Sequence, residues 1–495
     1  MSYASLRLPM IIQGGMGVAI SDWRLARSVS QLGQLGVVSG TGISCVLARR
    51  LMDGDLAGNM RRAIANFSLS ESVQDILDRY FVPGGKTENE PYKSTPTYTT
   101  RPSGFLDRLT ALANYVEVFL AKENHSGVVG INLLEKVQMP NLASLYGAML
   151  AGVDYVLMGA GIPTQIAGII DKLANHEPVS YRLDVQGAAP NDDVRIHFDP
   201  EHTFPGISKF VGRLKRPKFL PIISSAVLAQ VLLKRSEGTV DGFVIEAPAA
   251  GGHNAPPRGE MKLDNGGEPI YGGKDTVDLE KIRQFGVPFW LAGSYGNSTR
   301  LKNALDEGAA GIQVGTAFAL CNESGMEPGL KKRALQQVID KKMRVFTSPI
   351  ASPTGFPFKI AHIHETISEK KVYDARTRLC DISMLRNIFK KPDGSVGYRC
   401  PAEPVEDYVR KGGVIDDTIG RTCLCNNLMA AAGIPQHRKD GYVEPPLITA
   451  GDDLTNIGRF VKSGDSSYSA EDVVRGLLGP KMFDTQINPS PLTQS

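Results

Sequence analysis

The chain has 495 residues, 42% hydrophobic and 22% charged, the balance of a globular protein with room for one large barrel plus an appended region, or for two to three ordinary domains. A formal net charge of +3 offers no basic field for nucleic acid or for an acidic membrane surface. Met1–Met10 lacks the charged start and apolar core of a secretory signal, no apolar run approaches the ~20 residues of a membrane span, and six cysteines in this length make no disulfide framework. A cytoplasmic protein with reduced thiols is expected.

Short apolar strands alternate with amphipathic helices along most of the chain. Strands are predicted at Met10–Gln13, Leu35–Val38, Val128–Leu133, Asp154–Met158, Phe219–Ile223, Asp241–Glu246, Val287–Ala292 and Gly311–Val314. Helices are predicted at Trp23–Leu32, Leu106–Glu123, Asn141–Ala151, Ala226–Arg235 and Thr299–Glu307. Eight strands with helical crossovers predict an α/β fold of the (β/α)8 TIM-barrel type, with a doubly wound open sheet as the competitor, because periodicity does not report closure. Two stretches break the rhythm. Residues 81–103, rich in Pro, Gly, Thr and charge, form a long loop, either an active-site lid or a partner surface. Within an insertion at 179–218, Val179–Asp184 and Val194–Phe198 flank a turn and read as a β-hairpin ahead of the fifth barrel strand. The barrel is assigned to 1–343, a separate, mostly helical and irregular extension to 344–487, and a disordered tail to 488–495.

Chemistry concentrates where strands end. The sixth strand runs into Ala250-Gly-Gly-His253, where Gly251 and Gly252 let the backbone approach a ligand and His253 stands at the carboxyl end, the catalytic face of such barrels. A lone histidine is more often a surface or satisfied core residue, yet further glycine turns after other strands reverse that order. After the first strand, Gln13-Gly-Gly-Met-Gly17 removes side chains where a flat ring could lie against the backbone; an ordinary tight turn accounts for fewer glycines. After strands seven and eight, Gly293, Ser294, Gly296, Gly315 and Thr316 offer backbone N–H groups to a phosphate, although tight packing of helix on strand also favours glycine. A flat ring with a phosphate tail satisfies both ends, and FMN is such a molecule.

These blocks resemble the signatures of the nitronate monooxygenase family, formerly 2-nitropropane dioxygenase, which includes FMN-dependent enoyl reductases of fatty acid and polyketide pathways. Gln13-Gly-Gly-Met-Gly17, Ala250-Gly-Gly-His253, Ala292-Gly-Ser294 and Gln313-Val-Gly-Thr316 occur in the family's order within roughly residues 5–325. The resemblance implies an FMN-binding barrel in which Gly14, Gly15 and Met16 border the flavin ring and Asn132 hydrogen-bonds it. It implies that Gly252, Gly293, Gly315 and Thr316 hold the phosphate and that His253 is catalytic; Gly251 and Ser294 are counted with them as cofactor-binding, and no metal ligand is assigned. The chain departs from the pattern in two places: Pro248-Ala-Ala250 intervenes between Glu246-Ala247 and the glycine pair, and Ser294 stands where a second glycine is usual.

Function follows by resemblance: an FMN-dependent oxidoreductase, first a nitronate oxidiser using O2. The alternatives are an enoyl-thioester reductase, with an acyl carrier protein as partner, and a non-catalytic flavin-binding accessory subunit. A small-molecule substrate and a homo-oligomer are expected. No Gly-x-Gly-x-x-Gly fingerprint stands apart from these loops, which disfavours tight NAD(P)H binding. In the extension, Cys380, Cys400, Cys423 and Cys425 lack paired Cys-x-x-Cys knuckles and read as buried small hydrophobes before they read as metal ligands; Cys-Leu-Cys-Asn could also face the substrate channel. Ser352-Pro-Thr-Gly-Phe-Pro-Phe-Lys359 reads first as a rigid interdomain linker and second as a wall of the pocket, with Lys359 near a negative group.

Overall fold

Eight apolar strands run parallel around a common axis in the structure, a computed structural model that describes residues 8–462 and 465–487. In chain order they are β1 (Ile11–Gln13), β2 (Gly36–Ser39), β3 (Val129–Leu134), β4 (Tyr155–Gly159), β7 (Lys218–Ile223), β8 (Phe243–Glu246), β9 (Phe289–Ala292) and β10 (Gly311–Val314), with β5 (Val179–Arg182) and β6 (Arg195–Phe198) inserted as an antiparallel pair. The sheet order is β1-β10-β9-β8-β7-β4-β3-β2, and a parallel bridge between Ile12 and Leu35 joins its two edges. Closure therefore excludes the open doubly wound sheet: the fold is a (β/α)8 barrel, with every expected strand within two residues of its predicted limits and the hairpin where it was expected.

The strand period of two sorts the side chains. Ile12, Val37, Leu157, Leu220, Val244 and Trp290 form a small cluster filling the barrel, while their neighbours Ile11, Val38, Val156, Phe219 and Ile245 belong to a larger cluster beneath the surrounding helices. Trp290 is the largest interior side chain; it is fully buried and its Nε1–H donates to the Pro9 carbonyl at 2.8 Å, so the indole satisfies its polar atom without leaving the apolar layer.

Beyond Arg344 the chain folds onto the barrel. It contains two hairpins that sequence patterning did not resolve, β11 (Val345–Ser348) with β12 (Phe358–Ala361) and β13 (Asn387–Lys390) with β14 (Val396–Arg399), besides helices such as Leu424–Ala431 and Ala470–Leu478. Phe358, Ile363, Leu424, Leu447 and Leu454 share one continuous apolar cluster with the barrel helices. None of residues 81–103 lines the main cavity. They form a strap on which the extension rests: Tyr92 exchanges backbone bonds with the Gln436 side chain at 2.8 and 3.0 Å, and Arg386 donates to the Tyr98 carbonyl at 2.7 Å. The expected disordered tail, 488–495, lies outside the described residues. No helix among the described residues is long and apolar enough to cross a membrane.

Trp290→Ala would open a cavity in the barrel and orphan the Pro9 carbonyl. It should lower stability by about 3–5 kcal/mol, read as a shift of the denaturant midpoint; a shift near zero would show that the interior layer collapses around the loss.

Candidate active site

The carboxyl ends of the barrel strands open into a cavity of about 240 Å3. Gly14, Gly15, Met16, Asn132, Gly251, Gly252, His253, Gly293, Ser294, Gly315 and Thr316, the residues singled out from sequence, all line it. The geometry explains two of the unusual backbone positions. A Cβ on Gly15 would stand 2.3 Å from Asn132 Cβ, and the close approach lets Asn132 Nδ2 donate to the Gly15 carbonyl at 3.1 Å. Ser294 has φ +60°, the left-handed region where glycine is usual, so the backbone of the family turn persists without its glycine.

Several polar atoms in the wall have no partner. Asn132 Oδ1, Gln313 Oε1 and Ser39 Oγ are buried and unsatisfied among the described residues, although all three side chains border the cavity. Buried polar groups are normally paired, so this wall is built to receive a polar-edged ligand. Gly315 precedes the short helix Thr316–Ala319 with no side-chain cap, leaving first-turn amides available. Gly252 departs from expectation: its N–H donates to Thr449 Oγ1 at 2.8 Å, so a residue of the extension already holds it.

The extension builds the rest of the site. The Gly252–Asn254 loop lies antiparallel to the start of β12, with Lys359 N donating to the Gly252 carbonyl at 3.0 Å and Asn254 N to the Pro357 carbonyl at 2.9 Å. Phe358 sets its ring edge-to-face against His253 at 4.8 Å, and Ser352 Oγ lies 2.7 Å from His253 Nε2. Of the Ser352–Lys359 string, Phe358 lines the cavity and the rest backs the His253 loop. Lys359, only 5% exposed, ion-pairs with Asp452 at 2.6 Å, the negative group its position called for. Gly451 N donates to Thr316 Oγ1 at 2.9 Å, and Asp452 N to the Ala249 carbonyl at 3.1 Å, so residues 449–453 bridge the histidine loop and the β10 turn. Sequence reasoning missed this segment, though an apolar Leu447-Ile448 run ending in Thr-Ala-Gly-Asp-Asp453 repeats the strand-then-glycine signal used elsewhere.

Cys425 lines the main cavity, as the channel-facing reading allowed. Cys380, Cys400, Cys423 and Cys425 surround a second cavity of about 10 Å3, which shares Leu385, Leu424 and Cys425 with the first. All four are free thiols, and among the described residues no group of three or more His, Cys, Asp or Glu side chains is arranged to hold a metal ion. Burial pushes the Cys380 and Cys400 thiols up, and the neighbouring Cys425 thiol with burial does the same to Cys423.

Burial also sets the charges around the cavity. His253 is held well below its ordinary pKa, chiefly by burial and further by the charge of Lys136, so the imidazole is neutral. Burial pushes Glu246 up to about 7.

Residues 182–353 match the family model described as nitronate monooxygenase. A probable nitronate monooxygenase of Bacillus subtilis is 31% identical over 115 residues, 23% of this chain and 31% of that protein. A 5-hydroxy-7a-methyl-1-oxo-octahydro-1H-indene-4-carboxyl-CoA dehydrogenase of Mycobacterium tuberculosis is 26% identical over 132 residues, 27% of this chain and 34% of that protein. The matches thus span about a third of the length of these curated relatives. Among solved structures, a nitroalkane oxidase from Streptomyces ansochromogenes superposes with a TM-score of 0.47 at 14% identity, covering 97% of each chain. The resemblance read from the glycine motifs is borne out by the family match, which takes in the His253 loop and both turns after β9 and β10.

Glu246 gives the site a pH signature. The folded chain keeps a proton up to about pH 7 that the unfolded chain, with its carboxyl near the ordinary 4.5, has already released. Stability contributed by this group therefore falls as pH rises through that window. Glu246→Gln should raise the thermal midpoint more at pH ~8 than at pH ~4, with its benefit growing between the two; an equal change at both ends would show that the carboxyl titrates normally.

Proposed function

Starting from that family resemblance, we propose that the chain is an oxidoreductase with FMN as its cofactor and that it reduces the double bond of an enoyl thioester. The observation carrying the substrate half is the wall supplied by the extension. Met384, Leu385, Leu424, Leu428, Leu447 and Ile448 make it apolar, and among the described residues no Lys or Arg lines the cavity. An acyl chain buried there gains about 25 cal/mol per Å2 removed from water. A small anion such as a nitronate would meet a neutral imidazole and no cation, and would go unrepaid for its lost hydration. Nitronate oxidation with O2 is the second reading, favoured by the family model matched at 182–353.

The residues present fit FMN. The unsatisfied oxygens of Asn132, Gln313 and Ser39 suit the polar edge of a flavin ring, with Gly14, Gly15 and Met16 beside it. Gly293, Ser294, Gly315 and Thr316 would hold the phosphate through backbone amides, while Gly252, its amide taken by Thr449, and Gly251, packed against the Ala450–Gly451 backbone, would shape that end. Bound there, the flavin supplies hydride transfer, with a nicotinamide nucleotide as the reductant that charges it. The protein's part is to exclude water from the apolar wall, to orient the thioester and to deliver a proton. His253 is the residue proposed to protonate the α-carbon of an enoyl thioester, or to take the α-proton of a neutral nitroalkane in the second reading.

Purified protein should be yellow and release FMN on denaturation. Under anaerobic conditions NAD(P)H should bleach it, a trans-2-enoyl thioester should restore the colour, and propionate 3-nitronate should leave the oxidised flavin unchanged. Bleaching by nitronate alone would replace this reading with the second; a colourless protein that takes up no flavin would end both. His253→Ala should keep the flavin and lower turnover by about 10²-fold, whereas turnover within a few fold of the parent would make His253 structural.

A further inference from the structure

His253 does not stand alone in its wall. Its Nε2 lies 2.7 Å from Ser352 Oγ, Ser352 Oγ lies 2.8 Å from Thr354 Oγ1, and Lys136 Nζ donates to Thr354 Oγ1 at 3.3 Å. This continuous line of exchangeable protons joins a barrel residue just past β3 to the histidine by way of two hydroxyls of the extension. Ser352 is fully buried, while Lys136 is only partly covered and reaches the edge of the wall. The loop is held for the purpose: Arg421 donates to the Ser352 carbonyl at 2.6 Å, Thr422 N to the Ala351 carbonyl at 2.9 Å, and Thr354 N to Ser352 Oγ at 3.2 Å.

We propose that Lys136, Thr354 and Ser352 form a proton relay that reloads His253 through Nε2, leaving Nδ1 to serve the substrate. It rests on His253 being the proton donor to an enoyl thioester, as proposed above, which requires the resting proton on Nδ1; the reverse transfer in the second reading would start from the other tautomer. The directions are consistent throughout. The Lys136 ammonium gives a proton to Thr354 Oγ1, the Thr354 hydroxyl passes its own to Ser352 Oγ, and the Ser352 hydroxyl gives its proton to Nε2. The Nδ1 proton meanwhile goes to the substrate carbon that holds the electron pair. The imidazole ends neutral in its other tautomer and Lys136 as an amine; once product leaves, Nδ1 takes a proton from water while the Nε2 proton returns along the line to Lys136, which restores the starting state. Nitroalkane deprotonation would run the same line backwards.

The electrostatics favour this route over a charged histidine. An imidazolium at this depth would be poorly solvated and repelled by Lys136. Burial lowers Lys136 to about 7, so near neutrality it can both give and accept a proton. The groups facing it are few: the Phe356 ring lies 3.4 Å from Nζ, and Glu135, which favours the ammonium, already accepts bonds from Tyr181 and Gln138 at 2.8 Å each, with Asp184 beyond.

Ser352→Ala, Thr354→Val and Lys136→Met break the relay at successive points; Thr354→Ser should restore it. In resting 15N-histidine-labelled protein at neutral pH, His253 should be neutral with its proton on Nδ1, and Ser352→Ala should redistribute the tautomers. In turnover, each of the three breaking variants should lose about tenfold or more and the pH limb assigned to Lys136, while flavin content and the rate of flavin reduction by NAD(P)H stay at parental values. A parental His253 that carries its proton on Nε2 or is an imidazolium, or a pH profile common to parent and all three variants, would overturn the relay. Protein that binds no flavin would fail the functional reading instead, and the tautomer measurement would still decide the relay.

Discussion

The site depends on one short antiparallel contact, in which Gly252–Asn254 of the barrel pairs with Pro357–Lys359 of the extension. A histidine after two glycines has little of its own to fix its ring, because the glycine backbone is the most permissive in the chain. Here the backbone is pinned on both sides of His253, the ring is held against Phe358, and Nε2 is engaged by Ser352. Preorganisation that a barrel loop could not supply comes from a segment a hundred residues further along. The same pairing draws in the rest of the extension, since Thr449 Oγ1 donates to the Lys359 carbonyl at 2.6 Å while receiving the Gly252 amide.

A consequence is that the cavity is roofed by apolar side chains and drained of free charge. Asp453 borders it but is paired with Arg459 at 2.5 Å, and Asp452 is paired with Lys359. Of the other ionisable groups that line it, His253 and Glu246 are both driven toward their neutral forms by burial. In such surroundings net charge is expensive and proton exchange between neutral groups is not. This one condition supports both the apolar acyl substrate and a histidine that works by changing tautomer.

The barrel was legible from sequence because a buried parallel strand is a continuous apolar run and its helices carry a period of their own. The glycine turns were legible because close approach and left-handed backbone leave few other residues to choose from, as Gly15 against Asn132 illustrates. The extension was not, for its strands β11 to β14 pair in local hairpins without the strand–helix alternation of the barrel, and its contribution is made by pairing with distant segments. Nothing local in Ser352 or Thr354 marks them as neighbours of His253 and Lys136; only the docking of the extension brings them there. Glu246 was visible as the last residue of a strand, but its raised pKa comes from burial in the folded chain.

The two departures from the family's motifs meet at a single atom. The Ala249 carbonyl, within the inserted Pro248-Ala-Ala250, accepts the amide of Asp452 at 3.1 Å and lies 3.3 Å from the Ser294 hydroxyl. A Cβ on Gly251 would come within 2.7 Å of the Ala450 and Gly451 backbone, so the lengthened loop and the extension are packed to backbone contact. The extra residues are therefore a docking surface, and the serine tolerates its left-handed conformation, a cost of roughly 1–2 kcal/mol, beside the carbonyl that this surface exposes. Neither change stands where the unsatisfied oxygens of Asn132, Gln313 and Ser39 face the cavity. The chain's departures from the resembled motifs thus fall where the extension takes hold of the barrel.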